Sequence, residues 1–276
     1  MRLKVRHATT YHYAEPTRRV IQLLRVTPLS FAGQTVLDWQ IDVDCDAQLR
    51  RNRDGYGNVT HMLYVDSPVR TLEILVRGEV LTEDKAGVVH ALPHDLPQGM
   101  FLRHTPLTEP GPAIAAIADE VRGTDALQQL HDLASRLHDT IRFDTKATAI
   151  DTSAEQACAE GHGVCQDFAH IFVAAARRMG IPARYVSGHL YRRDGKHAQE
   201  AAHAWAEGWV DELGWVAFDP VNGICTDDAY VRVACGLDYR DAAPVAGARS
   251  GGGAEELAVE VRVAQASSQA KLQSQG

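Results

Sequence analysis

Short runs of aliphatic, β-branched and aromatic residues, each bounded by polar or turn-forming residues, fill the N-terminal third of the chain. Such runs are typical of β-strands. The segment Asp54-Gly55-Tyr56-Gly57-Asn58 predicts a turn between two of them. We therefore expect a small β-sandwich-like domain over residues 1–88, with strands around Leu3–Tyr11, Val20–Val26, Leu37–Val43, Val59–Val65 and Leu72–Leu81.

The hydrophobic period changes after a Pro- and Gly-containing stretch at 85–112. Apolar residues then recur at helical spacing, which predicts a short helix near Ala113–Val121 and an amphipathic helix over Leu127–Ile141. Ser153 and Gln156 form a capping-box pattern that opens a further short helix.

A longer helix is predicted next, ending at Gly180 and Pro182, which together form a C-terminal stop signal. Its apolar stripe consists of Phe168, Ile171, Phe172, Ala175 and Met179. Strand-like runs follow at Ala183–Leu190, His203–Val210 and Trp215–Asp219. We take residues 100–245 as a second, α+β domain.

The C-terminal pattern differs again. Ser250-Gly251-Gly252-Gly253 is typical of a flexible hinge. Alternating apolar and polar residues beyond it predict a half-buried strand over 254–265. The short polar tail, 266–276, is expected to be disordered.

Composition and charge narrow the possible functions. The 45% hydrophobic and 23% charged residues are ordinary for a soluble globular protein. A formal net charge of −8 argues against a nucleic-acid partner, because phosphate binding requires a basic excess. The basic residues Arg50, Arg51 and Arg53 precede Asp54 directly, and we interpret them as a solvated strand edge.

The sequence also gives an expectation for the compartment. The N-terminus has no apolar signal-peptide core, and no apolar run approaches the roughly 18 residues of a membrane span. We therefore expect a cytoplasmic protein without a membrane partner. Its 5 cysteines are sparse and odd in number, so they do not indicate a disulfide framework, and a free thiol can persist.

Cys165 is the main candidate for chemistry. It stands where the glycine-containing segment Gly161-His162-Gly163-Val164 enters the longer predicted helix. The N-terminus of a helix offers unpaired N–H groups and a positive dipole end, which favour a thiolate and can hold an oxyanion. A buried cysteine with only a packing role is the alternative.

His203 and Asp219 strengthen that hypothesis. They lie on two predicted strands joined by Asp211-Glu212-Leu213. In a simple hairpin centred on Asp211, Glu207 faces Trp215, Trp205 faces Ala217, and His203 faces Asp219. Opposite residues have Cβ atoms about 4.5–5.5 Å apart, so Asp219 would orient His203 as the base for a thiol. A bulge near Gly214 would break this register, and a strand-end His203 with Asp219 as a turn initiator is the alternative.

Three motifs carry a family resemblance. Gly163-Val164-Cys165-Gln166-Asp167-Phe168-Ala169-His170, Ala202-His203-Ala204-Trp205 and Gly214-Trp215-Val216-Ala217-Phe218-Asp219-Pro220 resemble the core motifs of the transglutaminase-like superfamily. The bacterial branch with an N-terminal β-domain, whose members are often assigned as candidate cysteine proteases, is the most similar. Further similar segments are Asp54–Val59, Arg184-Tyr185-Val186-Ser187-Gly188 and the end of the chain from Asp238-Tyr239.

The resemblance implies a catalytic triad of Cys165, His203 and Asp219. It also implies a papain-like or transglutaminase-like α+β fold, in which a cysteine-bearing helix packs on an antiparallel sheet that carries the histidine and the aspartate. Two positions depart from the family pattern: Gly208 replaces an apolar residue, and Cys158 replaces a larger aliphatic one.

The remaining candidate site residues have predicted roles outside the triad. Trp205 shares a face with His203 in the predicted hairpin and is expected to form a wall of the substrate groove. Gln166 is expected to donate a hydrogen bond near the site, although an exposed first-turn position is the alternative. Asn222 is predicted to close the turn after Asp219 and to support it. We expect no cofactor and no metal, because His162 and Cys165 lack a second ligand pair.

The predicted chemistry is acyl transfer from an amide bond of a peptide or protein substrate. Water as the final acceptor gives a protease or amidase, which we favour, and an amine gives a transglutaminase. A catalytically silent peptide-binding module is a third hypothesis, which the intact triad disfavours. The oligomeric state is left open.

Overall fold

The computed structural model describes residues 1–90, 92, 96–145, 149–195, 198–199 and 201–266. The N-terminal half contains β1 (Arg2–Tyr13), β2 (Thr17–Thr27), β3 (Gln34–Val43), β4 (Gln48–Arg53), β5 (Val59–Val65), β6 (Thr71–Thr82), β7 (Val88–Val89), a 3-10 helix (Gln98–Leu102), α1 (Pro112–Glu120) and α2 (Ala126–Thr140). There follow β8 (Arg142–Phe143), α3 (Ala154–Glu160), β9 (His162–Gly163), α4 (Cys165–Arg178), β10 (Ala183–Leu190), β11 (Ala198–Gln199), β12 (His203–Val210), β13 (Gly214–Asp219), β14 (Ile224–Cys225), β15 (Tyr230–Gly236), α5 (Tyr239–Ala242), β16 (Val245–Gly251) and β17 (Glu255–Gln265). Apart from Ala266, the predicted disordered tail lies outside the described residues.

Two antiparallel sheets form the N-terminal sandwich. One has the strand order β11-β17-β1-β6-β3 and the other β16-β2-β5-β4. The alternating inward side chains of these strands form an apolar cluster that includes Leu24, Leu63, Leu72 and Ile74. Strand β4 is fully exposed at one edge, so the predicted solvated strand edge is confirmed.

The C-terminal segment returns to this sandwich. Strand β16 pairs with β2, and β17 pairs with β1 along its whole length. Ser250 and Gly251 continue the paired strand β16, and the Gly252 carbonyl accepts a hydrogen bond from the Glu15 N–H at 2.9 Å. The predicted flexible hinge is therefore wrong, because the glycines form a hydrogen-bonded connection between two strands of the sandwich.

A further sheet, outside the sandwich, carries candidate catalytic residues. Its antiparallel order is β14-β13-β12-β10-β15, and β7 pairs with the far side of β13. Helix α4 packs on β10 and β12, placing Phe168 and Phe172 against Ala206 and Phe218 in the apolar core. This arrangement confirms the α+β fold class expected from the sequence.

The packing of α2 against β12 explains why position 208 is a glycine. A Cβ atom built on it would lie 2.5 Å from Leu130 Cδ1. Only glycine lets α2 approach β12 this closely, so the departure from the family pattern suits the local packing.

The hairpin of β12 and β13 differs in register from our prediction. Glu207 pairs with Ala217 and Trp209 with Trp215, a shift of two residues along one strand. The loop 211–213 has Glu212 at φ 69° and Gly214 follows at φ 83°, so the turn closes later than expected. Side chains alternate with a period of two, so the shift leaves His203 and Asp219 on the same face.

Side-chain amides connect the sandwich to β15. Asn58 accepts from the Cys235 N–H at 2.9 Å and donates to the Cys235 carbonyl at 2.8 Å. Gln34 accepts from the Arg232 N–H at 2.8 Å and donates to the Arg232 carbonyl at 2.9 Å. Both amides therefore satisfy backbone groups of a strand in the other domain. Within the described part of the chain, no helix is long and apolar enough to cross a membrane.

Candidate active site

The first turn of α4 positions Cys165. Val164 is the residue before the helix, and its N–H donates to the Asp167 carboxylate at 2.8 Å, which closes the helix start. Gly163 must be small there, because a Cβ atom on it would lie 2.7 Å from Asp167. Cys165 is half-buried and borders a groove, so its thiol is accessible at the positive end of the helix.

His203 lies between Cys165 and Asp219. Its Nε2 is 2.6 Å from Asp219 Oδ2, and Cys165 is close enough to contribute to the raised pKa of the imidazole. With Nε2 bound to the carboxylate, Nδ1 is the ring nitrogen left for the thiol. The three predicted side chains are thus brought together as one series, Cys165, His203 and Asp219, in which His203 and Asp219 are hydrogen-bonded.

The electrostatics of this series favour a charged imidazole. Burial alone would lower the pKa of His203, but the charge and hydrogen bond of Asp219, with a further contribution from the neighbouring Cys165, raise it to about 10. The His203 side chain is 10% exposed and Asp219 is 0% exposed, so water screens this pair weakly. An imidazolium held beside a thiol favours the thiolate.

Asp219 is held by several donors. Its Oδ1 accepts from the N–H groups of Val221 at 3.0 Å and Asn222 at 3.2 Å. Its Oδ2 accepts from the Asn222 amide at 2.6 Å and the Tyr230 hydroxyl at 2.7 Å. Burial opposes ionisation, but His203 and these hydrogen bonds hold the pKa of Asp219 below its usual value. Asn222 lies where the sequence placed it, beside the aspartate.

Tyr230 is a site residue that sequence reasoning missed. It belongs to β15, which we did not predict, and its ring lies 5.5 Å from Trp205 and 6.0 Å from His203 between centroids. Its hydroxyl reaches Asp219 from a separate strand. The sequence signal available was a Tyr-Val-Arg-Val run after the aspartate motif, whose alternation favours a strand.

Trp205 does not line the groove, so that expectation is corrected. Its side chain is 1% exposed and packs in a cluster with Val186, Ala217 and Tyr230. A Cβ atom on Gly188 would lie 2.5 Å from the Trp205 ring, so glycine makes room for the indole. Other side chains cover the sheet face that Trp205 shares with His203. The buried indole therefore supports the imidazole from the protein interior.

Gln166 borders the groove beside Cys165. Its amide donates to the Ile150 carbonyl at 3.0 Å. The side chain therefore joins the loop before α3 to the start of α4.

The groove next to Cys165 has a volume of about 1190 Å³. One wall comes from the sheet that carries His203 and from α4. The opposite wall comes from the N-terminal sandwich through His7, Thr9, Tyr11, Leu257 and Val259. Both domains therefore shape the space into which the thiol opens.

His170 is unsuited to act as a second base. It is 0% exposed, its Nε2 accepts from the Tyr239 N–H at 3.0 Å, and burial lowers its pKa to about 3. Among the described residues, no group of three or more His, Cys, Asp or Glu side chains could hold a metal ion.

Known proteins place the chain in a family. A sequence model described as the transglutaminase-like superfamily matches residues 115–220, and one described as the bacterial transglutaminase-like N-terminal region matches residues 3–81. An uncharacterized protein of Mycobacterium leprae is 30% identical over 275 residues, covering 95% of this chain and 98% of that protein. The chain belongs to the transglutaminase-like superfamily. This confirms the family that the motifs resembled.

Solved structures and enzymes of this superfamily extend the comparison. A candidate cysteine protease from Cytophaga hutchinsonii has the same fold, with a TM-score of 0.79, 20% identity, and coverage of 98% of this chain and 92% of that one. A protein-glutamine gamma-glutamyltransferase of Pseudomonas aeruginosa is 30% identical over 138 residues, which are 46% of this chain and 20% of that enzyme. The superfamily consists of cysteine-dependent enzymes, which favours an enzyme here.

Proposed function

We propose that the protein is a cysteine-dependent acyl-transfer enzyme that hydrolyses a peptide or isopeptide bond. Cys165 is the nucleophile, His203 the acid and base, and Asp219 the residue that orients His203. The observation that carries this proposal is the hydrogen bond between His203 and Asp219 beside Cys165, which stands at a helix start that borders a large groove.

The first half of the reaction forms a thioester. The Cys165 thiolate attacks the carbonyl carbon of the amide, and the C–O π electrons move to oxygen to give a tetrahedral oxyanion. His203 Nδ1–H then protonates the departing amine as the C–N bond breaks and the carbonyl re-forms. Asp219 holds Nε2 throughout, so Nδ1 stays directed at the reacting atoms.

The second half releases the acyl group. His203, now neutral, takes a proton from a water molecule as its oxygen attacks the thioester carbonyl. Collapse of the second tetrahedral species breaks the C–S bond, releasing a carboxylic acid and restoring the thiolate–imidazolium pair. Water is the acceptor we favour.

The groove supports a peptide or protein as substrate. It is large, has aromatic and aliphatic walls from two domains, and includes Leu257, which is 57% exposed. Ligand sites commonly combine such apolar walls with a few directed polar groups.

A primary amine as acceptor is the second candidate. The similarity to the Pseudomonas aeruginosa protein-glutamine gamma-glutamyltransferase favours it, because that protein is named for transfer of the gamma-glutamyl group of protein glutamine. In that case an amine replaces water in the second half, and an isopeptide bond forms instead of an acid.

One experiment separates the candidates. Wild-type protein and Cys165→Ala are incubated with a mixed peptide digest and a labelled primary amine, and products are identified by mass spectrometry. Hydrolysis products that require Cys165 support the protease proposal. Label on glutamine side chains would instead support the transglutaminase, and products independent of Cys165 would reject both.

A further inference from the structure

The tetrahedral intermediate of the proposed reaction needs donors for its oxyanion. As the first residues of α4, Cys165 and Gln166 have backbone N–H groups without an intrahelical acceptor. Oxyanion sites in acyl transfer combine such an N–H with a second fixed donor. The source of that second donor is the open question.

Most polar side chains around Cys165 are already committed elsewhere. The Gln166 amide donates to the Ile150 carbonyl, and the Ser187 hydroxyl donates to the Ala242 carbonyl at 2.6 Å. The Tyr230 hydroxyl donates to Asp219. The Ser187 and Tyr230 hydroxyl protons are therefore not free for a substrate, and the bond to Ile150 fixes the Gln166 amide.

Tyr185 differs from these side chains. It stands on β10, its residue is 1% exposed, and it packs in an apolar cluster with Ala169 and Ala204 against which Cys165 also packs. Tyr185 nevertheless borders the groove. Among the described residues its hydroxyl has no hydrogen-bond partner, yet it is not one of the fully buried polar atoms. The small exposed part of Tyr185 therefore faces the groove beside the thiol.

The Tyr185 ring is held rigidly. The His170 ring lies 5.0 Å from it between centroids, and the Tyr239 ring meets it edge-on at 6.2 Å. His170 is itself fixed by the Tyr239 N–H. A donor that does not have to reorganise during the reaction is the kind that stabilises a transition state best.

We propose that the Tyr185 hydroxyl is the second oxyanion donor, a role that rests on the proposed function of Cys165. Burial and the nearby Cys165 charge hold the pKa of Tyr185 well above its usual value, so the hydroxyl keeps its proton. Tyr239 also borders the groove, but it is only partly buried and packs against the cluster of which Tyr185 is a buried member. Tyr185 is therefore the more firmly held of the two tyrosines.

Two reactions of Cys165 test this role. Acylation by p-nitrophenyl acetate passes through a tetrahedral oxyanion, whereas alkylation by iodoacetamide is a direct displacement with no oxyanion. In Tyr185→Phe we expect acylation to slow about 10²–10³-fold, the usual effect of losing one oxyanion donor, while alkylation keeps its wild-type rate. Unchanged alkylation also shows that the variant is folded.

Tyr13→Phe is the matched control. Tyr13 is a buried tyrosine of the sandwich whose hydroxyl has no hydrogen-bond partner among the described residues, so both reactions should keep their rates. Tyr239→Phe tests the neighbouring tyrosine.

Three outcomes would overturn the inference. These are normal acylation in Tyr185→Phe, a loss found in Tyr239→Phe instead, or an equal fall in both reactions, which would mean that Tyr185 acts on the thiolate. Failure of the proposed function looks different, because Cys165→Ala would then release p-nitrophenol as fast as the wild type.

Discussion

Two regions of the molecule bury histidines with opposite results. At the active-site end of the sheet, the pKa of His203 is raised to about 10. Where β1 contacts β10, burial lowers the pKa of His7 to about 4 and that of His189 to about 3. Burial opposes the charged form in both regions, so the neighbours decide the outcome.

The neighbours differ in charge. His203 contacts the Asp219 carboxylate, whereas His7 contacts the Thr9 hydroxyl at 3.3 Å and the His189 ring at 5.6 Å between centroids. Neither a hydroxyl nor a second imidazole carries the negative charge that would offset a buried positive charge. A buried imidazole therefore becomes an acid–base group only where the fold also fixes a carboxylate beside it.

The largest effect should come from removing that carboxylate. In Asp219→Asn the pKa of His203 should fall, and acylation of Cys165 by p-nitrophenyl acetate should slow by about 10²–10⁴-fold, the usual contribution of a positioned acid–base group. Asp66→Asn, which removes an exposed partner of Arg19, is the control and should keep full activity. Comparable rates in the two variants would remove Asp219 from the mechanism.

The same variant should show a pH-dependent loss of stability. The raised pKa of His203 means that its charged pair stabilises the fold fully below about pH 6.5 and loses this effect as pH rises through about 10. Breaking a buried pair typically costs about 3–5 kcal/mol. We expect the free energy of unfolding of Asp219→Asn to differ most from wild type near pH 6, by urea denaturation. A difference that grows toward pH 10 would contradict this sign.

Tyr230→Phe should have a smaller effect. It removes one hydrogen bond to a buried charged group, which typically contributes about 1.5–3 kcal/mol. Tyr13→Phe removes a buried hydroxyl without a described partner, so its cost should be near zero. Equal losses in the free energy of unfolding of the two variants would mean that the contact with Asp219 contributes little.

The smallest effect concerns the pH dependence of stability that His7 causes at the contact between β1 and β10. Since the pKa of His7 is lowered, its unfolded form binds more protons between about pH 4 and 6.5, and stability rises with pH there. His7→Gln should make this rise shallower by at most about 1.4 kcal/mol per pH unit. His12→Gln, which removes an imidazole from the exposed face of β1, is the matched control against which the change in slope is compared. The same slope in all three proteins would show that His7 titrates as in solvent.

Local sequence patterns predicted much of the scaffold. The capping box of Ser153 and Gln156 and the bounds of β10 and β12 are confirmed, because each depends on neighbours within a few residues. The hairpin register was wrong by two residues, since turn geometry at Glu212 was not predictable from composition. The error left His203 and Asp219 together because an even shift keeps side chains on the same face.

Contacts between residues far apart in the sequence account for the features that the sequence did not predict. Strand β15 is buried but contains the charged residue Arg232. The Glu207 carboxylate of β12 binds Arg232 at 2.7 Å and so allows it to be buried. Tyr230 reaches Asp219 only because β15 pairs with β10. Trp205 is buried in a cluster that includes Tyr230 and against which the sandwich residues Met1 and Tyr56 pack. None of these pairings has a local signal in the sequence.

The most direct test of the central claim compares thiols in the wild-type protein. Burial raises the pKa of Cys158 and of Cys225 to about 11, which leaves roughly 10⁻⁴ of each as thiolate near pH 7, whereas Cys165 lies beside the charged His203. Iodoacetamide labelling followed by peptide mass spectrometry should show Cys165 reacting at least about 10²-fold faster than either, and slower in Asp219→Asn. Labelling of Cys165 no faster than that of Cys158 and Cys225 would contradict an activated nucleophile at this site.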